Sequence, residues 1–347
     1  MDASKRVALG SYFKFIAQQK GLTQSSMATQ LGLDRTSISK VFAGQIKSDD
    51  SYARVASLFG LSLDDAVERA VLIQAALPDV AKLDEVSEPG AYVIAVATEK
   101  GGSGKTTTAV HLASAFAQMG HRTLLVDIDP QGNATHHLGL TESDGDVLAS
   151  LLRKLIGLED LEIEESDHGV DLIAGGRAVA TSRGDLMAVS DGTGMLRLDE
   201  IVRPLRAHYD RILIDTPPEA AILQGNALAA ADGVVSPIDP SNFSIQGMEK
   251  VLASTQNIRR TLNPELDFLG CVLTRYDKRT KVSRMVARHL DRADDVHCFE
   301  TRIRIDTKVP EAQIQFMPVD VLEPSSRAAR DYRSLAREIE EAIDERR

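Results

Sequence analysis

The chain reads as an α/β protein, a doubly wound and mainly parallel sheet preceded by a small all-α domain. Three observations carry that reading. A glycine-rich loop, Glu99-Lys100-Gly101-Gly102-Ser103-Gly104-Lys105-Thr106-Thr107-Thr108, stands between a strand-like run and a helical one. After the loop, short apolar runs alternate with helical stretches; before it, residues 1–77 carry helical patterns only. The two parts are joined by residues 78–90 (PDVAKLDEVSEPG), an acidic stretch with two prolines and no helical period, which reads as a linker to an α/β domain at 91–347.

Each element has its own warrant. Ala91–Ala97 (AYVIAVA) is short, apolar and partly β-branched, as a buried strand is. Ala109–Met119 has the apolar spacing of a packed helix and is closed by Gly120. A strand, G-x-x-G-K-T and a helix in that order make a phosphate-binding loop, so the expected fold is that of a P-loop NTPase and the expected ligands are a nucleoside triphosphate and Mg²⁺. Backbone N–H groups of Gly101, Gly102, Ser103, Gly104 and Thr107 would converge on phosphate oxygens, aided by the helix dipole. Lys105 would reach the β- and γ-phosphates and Thr106 would offer its hydroxyl to Mg²⁺. Further strands are expected at Arg122–Asp127, Asp171–Ala174, Arg211–Asp215, Gly233–Ile238 and Phe268–Thr274, with a helix at Ser244–Arg260. Ligands of such a sheet sit at the carboxyl ends of its strands.

Two carboxylate groups follow strands and therefore belong beside the loop. Asp127 and Asp129 open DIDPQGNAT; they share one side if the strand persists through both. An aspartate there can orient an attacking water or hold Mg²⁺ through water. Asp215, followed by Thr216-Pro217-Pro218, has the form of a second Mg²⁺-side carboxylate with a switch loop after it.

Composition narrows the class. With 347 residues, 43% hydrophobic and 26% charged, the chain has the make-up of a globular protein. No run approaches the ~18–20 apolar residues of a membrane helix, and the first residues lack a secretory pattern, so a cytoplasmic protein is expected. Cys271 and Cys298 have no metal-ligand spacing and read as buried thiols; the His136-His137 pair reads as structural or surface. The net charge of −11 is uneven. Residues 1–77 carry nine Lys/Arg against seven Asp/Glu, and residues 258–308 carry twelve against eight. Local patches therefore decide whether nucleic acid can bind.

Residues 22–41 fit a helix-turn-helix. Thr23 can cap the first helix, Ala28 is small where the helices cross, Gly32 permits the turn, and Asp34 can cap the second helix. Met27, Leu31, Leu33, Ile38 and Val41 would fill the core. Arg35, Thr36, Ser37, Ser39 and Lys40 would face the major groove, with Gln24 on a phosphate. The alternative is a purely structural or protein-docking helical domain. The run Leu58–Asp64 completes a resemblance to the Cro/phage-repressor class of such domains.

From about Tyr92 onward, the loop with its extra Lys100, DIDPQGNAT, DTPP, LTRYDKRTKVSR and the tail PSSRAARDY (324–332) resemble the ParA family of DNA-partition ATPases, within the wider ParA/MinD superfamily. The resemblance implies a deviant Walker A loop in which Lys100 contacts nucleotide across a face-to-face homodimer. It also implies that Asp129 assists the attacking water, so that Lys100, Lys105 and Asp129 are the catalytic set, and that Thr106, Asp129 and Asp215 serve Mg²⁺. It implies non-specific DNA binding by the ATP-bound dimer, hydrolysis stimulated by a ParB-like centromere-binding partner, nucleoid association, and repression of its own operon by the N-terminal domain. Ser103 stands where the family often has Val, and Thr301–Ala312 is only loosely similar to the family's Pro-Arg-Asn-type loop.

The DNA surface so implied maps onto Arg259, Arg260, Arg275, Lys278, Arg279, Lys281, Arg284 and Arg288. Their alternative is a solvated face paired locally with Asp277, Asp291 and Asp294. Two other functional readings stay open: an ATP-switched transcription factor without a segregation role, and a membrane-cycling ATPase. The second is disfavoured because Leu335–Arg347 is acidic and thinly apolar.

Overall fold

The computed structural model describes residues 5–6, 9–10, 13, 17, 24–42, 45–46, 48–67, 90–98, 100–140, 146–189, 193–218, 221–240, 244–292 and 296–346. It forms two compact units, residues 1–88 with 189–193 and residues 89–188 with 194–347. Apart from Gly90, the expected linker lies outside the described residues.

In the first unit, α1 (Gln24–Leu31) and α2 (Arg35–Phe42) are joined at Gly32, whose φ of +59° is the left-handed value a helix stop needs. The Leu33 amide donates back to the Ala28 carbonyl at 2.9 Å, closing that stop. Asp34 then caps α2, its Oδ1 accepting from the Ser37 amide at 2.8 Å. Helix α3 (Asp49–Leu58) adds Tyr52 and Val55 to a core with Met27, Ile38 and Val41, all fully buried. Leu31 and Leu33, expected in that core, are half-buried at its margin. The Thr23 cap lies outside the described residues.

The second unit runs β1 (Tyr92–Val96), α4 (Lys105–Gln118), β2 (Thr123–Asp127), α5 (Asn133–His137), α6 (Asp146–Leu152), β3 (Glu164–Glu165), β4 (Val170–Ile173) and α7 (Arg177–Ala188). It continues with α8 (Arg197–Val202), β5 (Arg211–Asp215), α9 (Ala221–Ala230), β6 (Gly233–Ile238), α10 (Ser244–Thr261), β7 (Asp267–Tyr276) and α11 (Lys281–Leu290). Strand β8 (Cys298–Arg304), α12 (Lys308–Ile314), α13 (Val319–Leu322) and α14 (Arg327–Asp344) complete it. One eight-stranded sheet has the order β3-β4-β2-β5-β1-β6-β7-β8. Every pairing is parallel except β3 with β4.

This is the doubly wound parallel sheet expected. β1, β2, β5 and β6 are buried along their whole length, which is why they read as unbroken apolar runs. The chain leaves β1 in one direction toward β2 and reaches β6 on the other side, so the crevice at the carboxyl end of β1 is the topological switch point.

Thr301–Ala312, only loosely similar to a loop of the resembled family, is the end of edge strand β8, a short connection and the start of α12. Its strand signal is hidden by charge: in CFETRIR, Phe299 and Ile303 are buried while Glu300 and Arg304 face solvent. Pro310 is tolerated because it lies in the first turn of α12, where no intrahelical donor is needed.

The main core joins α4 and α14 to the sheet, with Ile94, Leu112, Phe116, Leu213, Tyr332, Leu335 and Ile339 in one cluster. The apolar residues of the chain's last helix are therefore turned inward, and among the described residues no helix is long and apolar enough to cross a membrane. Leu335, fully buried in this cluster, sets a first prediction. Leu335→Ala should lower the unfolding free energy of the α/β unit by about 3 kcal/mol, read as a smaller urea midpoint; a change under about 1 kcal/mol would mean that α14 is not part of the cooperative core.

Candidate nucleotide-binding site

The loop after β1 is shaped by its glycines. Gly102 and Gly104 have φ of +73° and +90°, and a Cβ built on Gly101 or Gly102 would meet nothing within 4 Å. The backbone is thus curled with open space over it, as a phosphate cradle must be. A strand two places away holds the curl: the Thr274 hydroxyl at the end of β7 donates to the Ser103 carbonyl at 2.9 Å. The Ser103 hydroxyl donates to the Lys100 carbonyl at 3.1 Å. That bond gives serine a use at the position where the resembled family often has Val.

Helix α4 begins at Lys105, whose side chain is buried. Burial pulls its pKa down, while the charges of Asp215 and Asp129 push it back up. Asp215 is fully buried at the end of β5 and stands in register with Val96 of β1 and Asp127 of β2. Burial, then the neighbouring Asp127 charge, holds its carboxyl well above the ordinary range. Neither of its oxygens has a partner in normal hydrogen-bond geometry; the Thr106 hydroxyl lies close enough only to moderate the shift. A buried, unsatisfied carboxylate beside a threonine hydroxyl is a group lacking a cation or donor.

Asp127 and Asp129 part company because β2 ends at Asp127. Asp127 is a structural hub: its Oδ2 accepts from the Thr135 amide and hydroxyl, both at 2.9 Å, and its Oδ1 accepts from the Asp129 amide at 3.1 Å. Asp129 stands in the turn beyond and lines the cleft, with its Oδ1 taken by the Gln131 amide at 2.9 Å. The condition for their sharing one side, a strand through both, is not met, and only Asp129 lines the cleft.

Lys100 lies at the loop's entrance. Its Nζ is 3.6 Å from Oδ1 of Asp239, the residue after β6, and Arg275 at the end of β7 grips the same carboxylate through Oδ2. The cleft above the loop has a volume of about 640 Å³, within the range of small-molecule sites. Its far wall is built by Ile303, Ile305, Val309 and Pro310 from β8 and α12.

Comparison with known proteins shows the family and the fold. Residues 91–268 match the family profile described as "AAA domain", and residues 14–65 match "Helix-turn-helix". The chromosome partitioning protein ParA of Myxococcus xanthus is 32% identical over 71% of this chain and 87% of its own length. The sporulation initiation inhibitor protein Soj of Bacillus subtilis is 32% identical over 71% of this chain and 97% of its own. A crystal structure of cobyrinic acid a,c-diamide synthase from Mycobacterium smegmatis with bound ADP and magnesium superposes with a TM-score of 0.62, at 27% identity over 71% and 93% of the two chains. The chain belongs to the ParA family of ATPases, here with an N-terminal helix-turn-helix.

The ParA-family loop residues expected from sequence come together: Gly101, Gly102, Gly104, Lys105, Thr106, Thr107 and Asp129 all line the cleft. Ser103 and Asp215 are buried and do not line it, although the Asp215 charge acts on Lys105, which does. Thr274, Asp239 and the β8–α12 wall escaped sequence reading. No local signal marks Thr274, because the strand that carries it lies two places from the loop's strand and its contact with Ser103 spans 171 residues of chain.

The expected DNA contacts are brought together only in part. On α2, Thr36, Ser39 and Lys40 are exposed, but the Ser37 hydroxyl donates to Asp34 Oδ2 at 2.7 Å and is engaged in the helix cap. The side chains of Gln24 and Arg35 lie outside those described. Lys278, Arg279, Lys281 and Arg284 are exposed together where β7 passes into α11, whereas Arg259 and Arg260 end α10. Arg259 pairs with Asp267 at 3.8 Å, at the start of β7. That ten-residue strand sets the two groups apart by roughly 30 Å, so the basic stretch is two clusters and not one surface. Of the expected local pairs, Asp277 holds Arg279, while Asp291 holds Arg302 instead. Asp294 lies outside the described residues. His137 is buried, with Nε2 3.2 Å from the Met317 carbonyl, and lines the cleft, while exposed His136 packs edge-on against Phe316.

Asp127 gives the site a pH signature. Burial pushes its carboxyl up to about 6 against the pull of the Thr135 and Asp129 donors. With the folded value above the ordinary 3.8, its contribution to stability is complete below about pH 4 and is lost as the pH rises through about 6. Asp127→Asn should therefore gain stability relative to the parent chain, on the order of 2 kcal/mol, between pH 4 and pH 6.5. Parallel pH profiles of thermal unfolding for the two proteins would show that Asp127 does not titrate there.

Proposed function

We propose that this chain is a DNA-partition ATPase that hydrolyses ATP with Mg²⁺ and changes its assembly and its hold on DNA with the nucleotide. The observation that carries the reading is the set Lys105 and Thr106 at the start of α4 with Asp129 and Asp215 at the ends of adjacent strands, all buried or half-buried beside an open glycine loop. The names of relatives such as ParA and Soj support segregation as the purpose, and the helix-turn-helix match supports site-specific DNA binding with autorepression.

Each residue has a chemical part. The loop amides and the start of α4 hold the phosphates, and Lys105 neutralises charge that builds on them during transfer. Mg²⁺ fits the Thr106 hydroxyl and the unsatisfied Asp215, with Asp129 nearby, and when bound it would neutralise and orient phosphate oxygens. Among the described residues no cluster of three His, Cys, Asp or Glu could hold a metal alone, which suits a cation that takes its remaining ligands from phosphate and water. The Gln131 amide fixes Asp129 through Oδ1, leaving Oδ2 to accept a hydrogen bond from the attacking water. Lys100 stands outside the buried set and contacts the nucleotide of a facing copy, so full catalysis needs the homodimer. A ParB-like protein is the partner that stimulates turnover, and nucleoid DNA is where the dimer resides.

Asp129→Ala should bind a fluorescent ATP analogue with near-parent affinity yet lose on the order of 100-fold in phosphate release. Parent-like hydrolysis by that variant would remove Asp129 from its role. The DNA surface is assigned to the β7–α11 cluster. Lys281→Ala with Arg284→Ala should weaken binding to random-sequence duplex and reduce the slope of log affinity against log salt by about 2. Arg259→Ala with Arg260→Ala, at the far end of β7, should leave that slope unchanged; equal losses from both pairs would refute the assignment.

The helix-turn-helix match also supports a second reading, an ATP-switched transcription factor without a segregation role. Plasmid-loss rates in a strain carrying Lys105→Ala distinguish the two. Stable inheritance together with altered operator control would favour the second.

A further inference from the structure

Asp239 is the carboxylate immediately after β6, and it is largely buried. Among the described residues, two cations meet on it. Lys100 approaches Oδ1 at 3.6 Å, beyond the roughly 2.7–2.9 Å of a charge-assisted hydrogen bond, so the contact is an electrostatic tether. Arg275 is held more firmly: its Nε donates to Oδ2 at 3.0 Å and an Nη joins the same oxygen. Arg275 has a φ of +47°, an uncommon backbone state for a residue with a side chain. It directly follows Thr274, whose hydroxyl pins the Ser103 carbonyl, and the Ser103 hydroxyl returns to the Lys100 carbonyl. The ends of β6 and β7 and the entrance of the phosphate loop are thereby closed into one ring of contacts around Lys100.

We infer that Asp239 is a positioning residue that parks Lys100 within its own protomer, and that Arg275 sets the strength of that hold. The inference rests on the proposed reading that Lys100 serves the nucleotide of a facing copy. To do so its ammonium must swing away from Asp239, which belongs to its own protomer, toward phosphates held by the facing copy. A lone, largely buried carboxylate would hold that ammonium tightly. Arg275 shares the carboxylate's charge, which leaves Lys100 tethered but releasable once phosphate offers a stronger field. The two residues consequently act in opposite directions on assembly: Asp239 restrains Lys100, and Arg275 eases its release.

The test uses the full chain, a non-hydrolysable ATP analogue and sedimentation velocity. The quantity read is the nucleotide concentration at half-dimerisation. Asp239→Asn should lower it about three- to fivefold, and Arg275→Ala should raise it by a similar factor, with Arg275→Lys returning it toward the parent value. A residue that served only to keep the fold intact would shift both variants the same way. The Arg275 side chain is 62% exposed, so its truncation opens no core and that arm stands even where Asp239→Asn folds poorly. Lys100→Ala separates the two levels of argument. If it still dimerises with nucleotide at the parent midpoint, the reading of Lys100 itself fails. If it loses the nucleotide-dependent dimer while Arg275→Ala leaves the midpoint unchanged or lowers it, the parking role of Asp239 is overturned and the reading of Lys100 stands.

Discussion

Three carboxyl groups and one ammonium are buried together at the carboxyl ends of β2, β5 and the loop after β1, and the rest of the α/β unit exists to hold them there. Asp127, Asp129 and Asp215 outnumber Lys105, and burial raises all three carboxyls while depressing the lysine. Such a cluster is costly in a folded chain unless its charges are compensated. Asp127 is satisfied internally by Thr135 and by the Asp129 amide. Asp215 is not, and its two unpartnered oxygens leave a deficit that a phosphate-bound cation would fill. The site is thus built to be completed by its ligand, and its stability and its chemistry draw on the same charges.

Holding these groups requires a platform that does not yield. The parallel register of β1, β5 and β2 sets Val96, Asp215 and Asp127 side by side, and the Thr216 hydroxyl locks onto the Val96 carbonyl at 2.9 Å. The neighbouring half of the sheet is used differently. β7 sends Thr274 to the phosphate loop and Arg275 to Asp239, and β8 leads into the apolar wall of the cleft. One half of the sheet supplies the buried charges; the other grips the loop and closes the pocket.

What could be read from the residues follows from this division. β1, β2, β5 and β6 were legible because both faces are buried, which leaves a pure apolar run in the sequence. β8 was not, since an edge strand alternates buried Phe299 and Ile303 with charged residues and resembles a polar loop. The phosphate loop was legible because its glycines, Lys105 and Thr106 are contiguous. Asp239 and Thr274 were not, because their contacts with Lys100 and Ser103 span more than a hundred residues of chain and leave no local spacing. Asp127 and Asp129 looked equivalent until the strand's end separated them. The basic stretch misled for a related reason: nearness in sequence means little on either side of a ten-residue strand.

In the proposed reading, a net charge of −11 and a hold on DNA are compatible only through that last point. Charges more than a Debye length apart, about 8 Å at physiological salt, are largely screened from one another, so a phosphate responds to the cations beside it and not to the total. Cations in sequence overstate the supply, because Arg279 is paired with Asp277, Arg259 with Asp267 and Arg302 with Asp291. Among the described residues of this stretch, Lys278, Lys281 and Arg284 stay exposed together, and in the proposed reading they are too few charges for firm binding by one copy. Two copies brought together by nucleotide would double the number of phosphates engaged, and affinity rises steeply with that number. In the proposed cycle, then, an acidic chain suits its task because the monomer binds DNA poorly and the dimer need not.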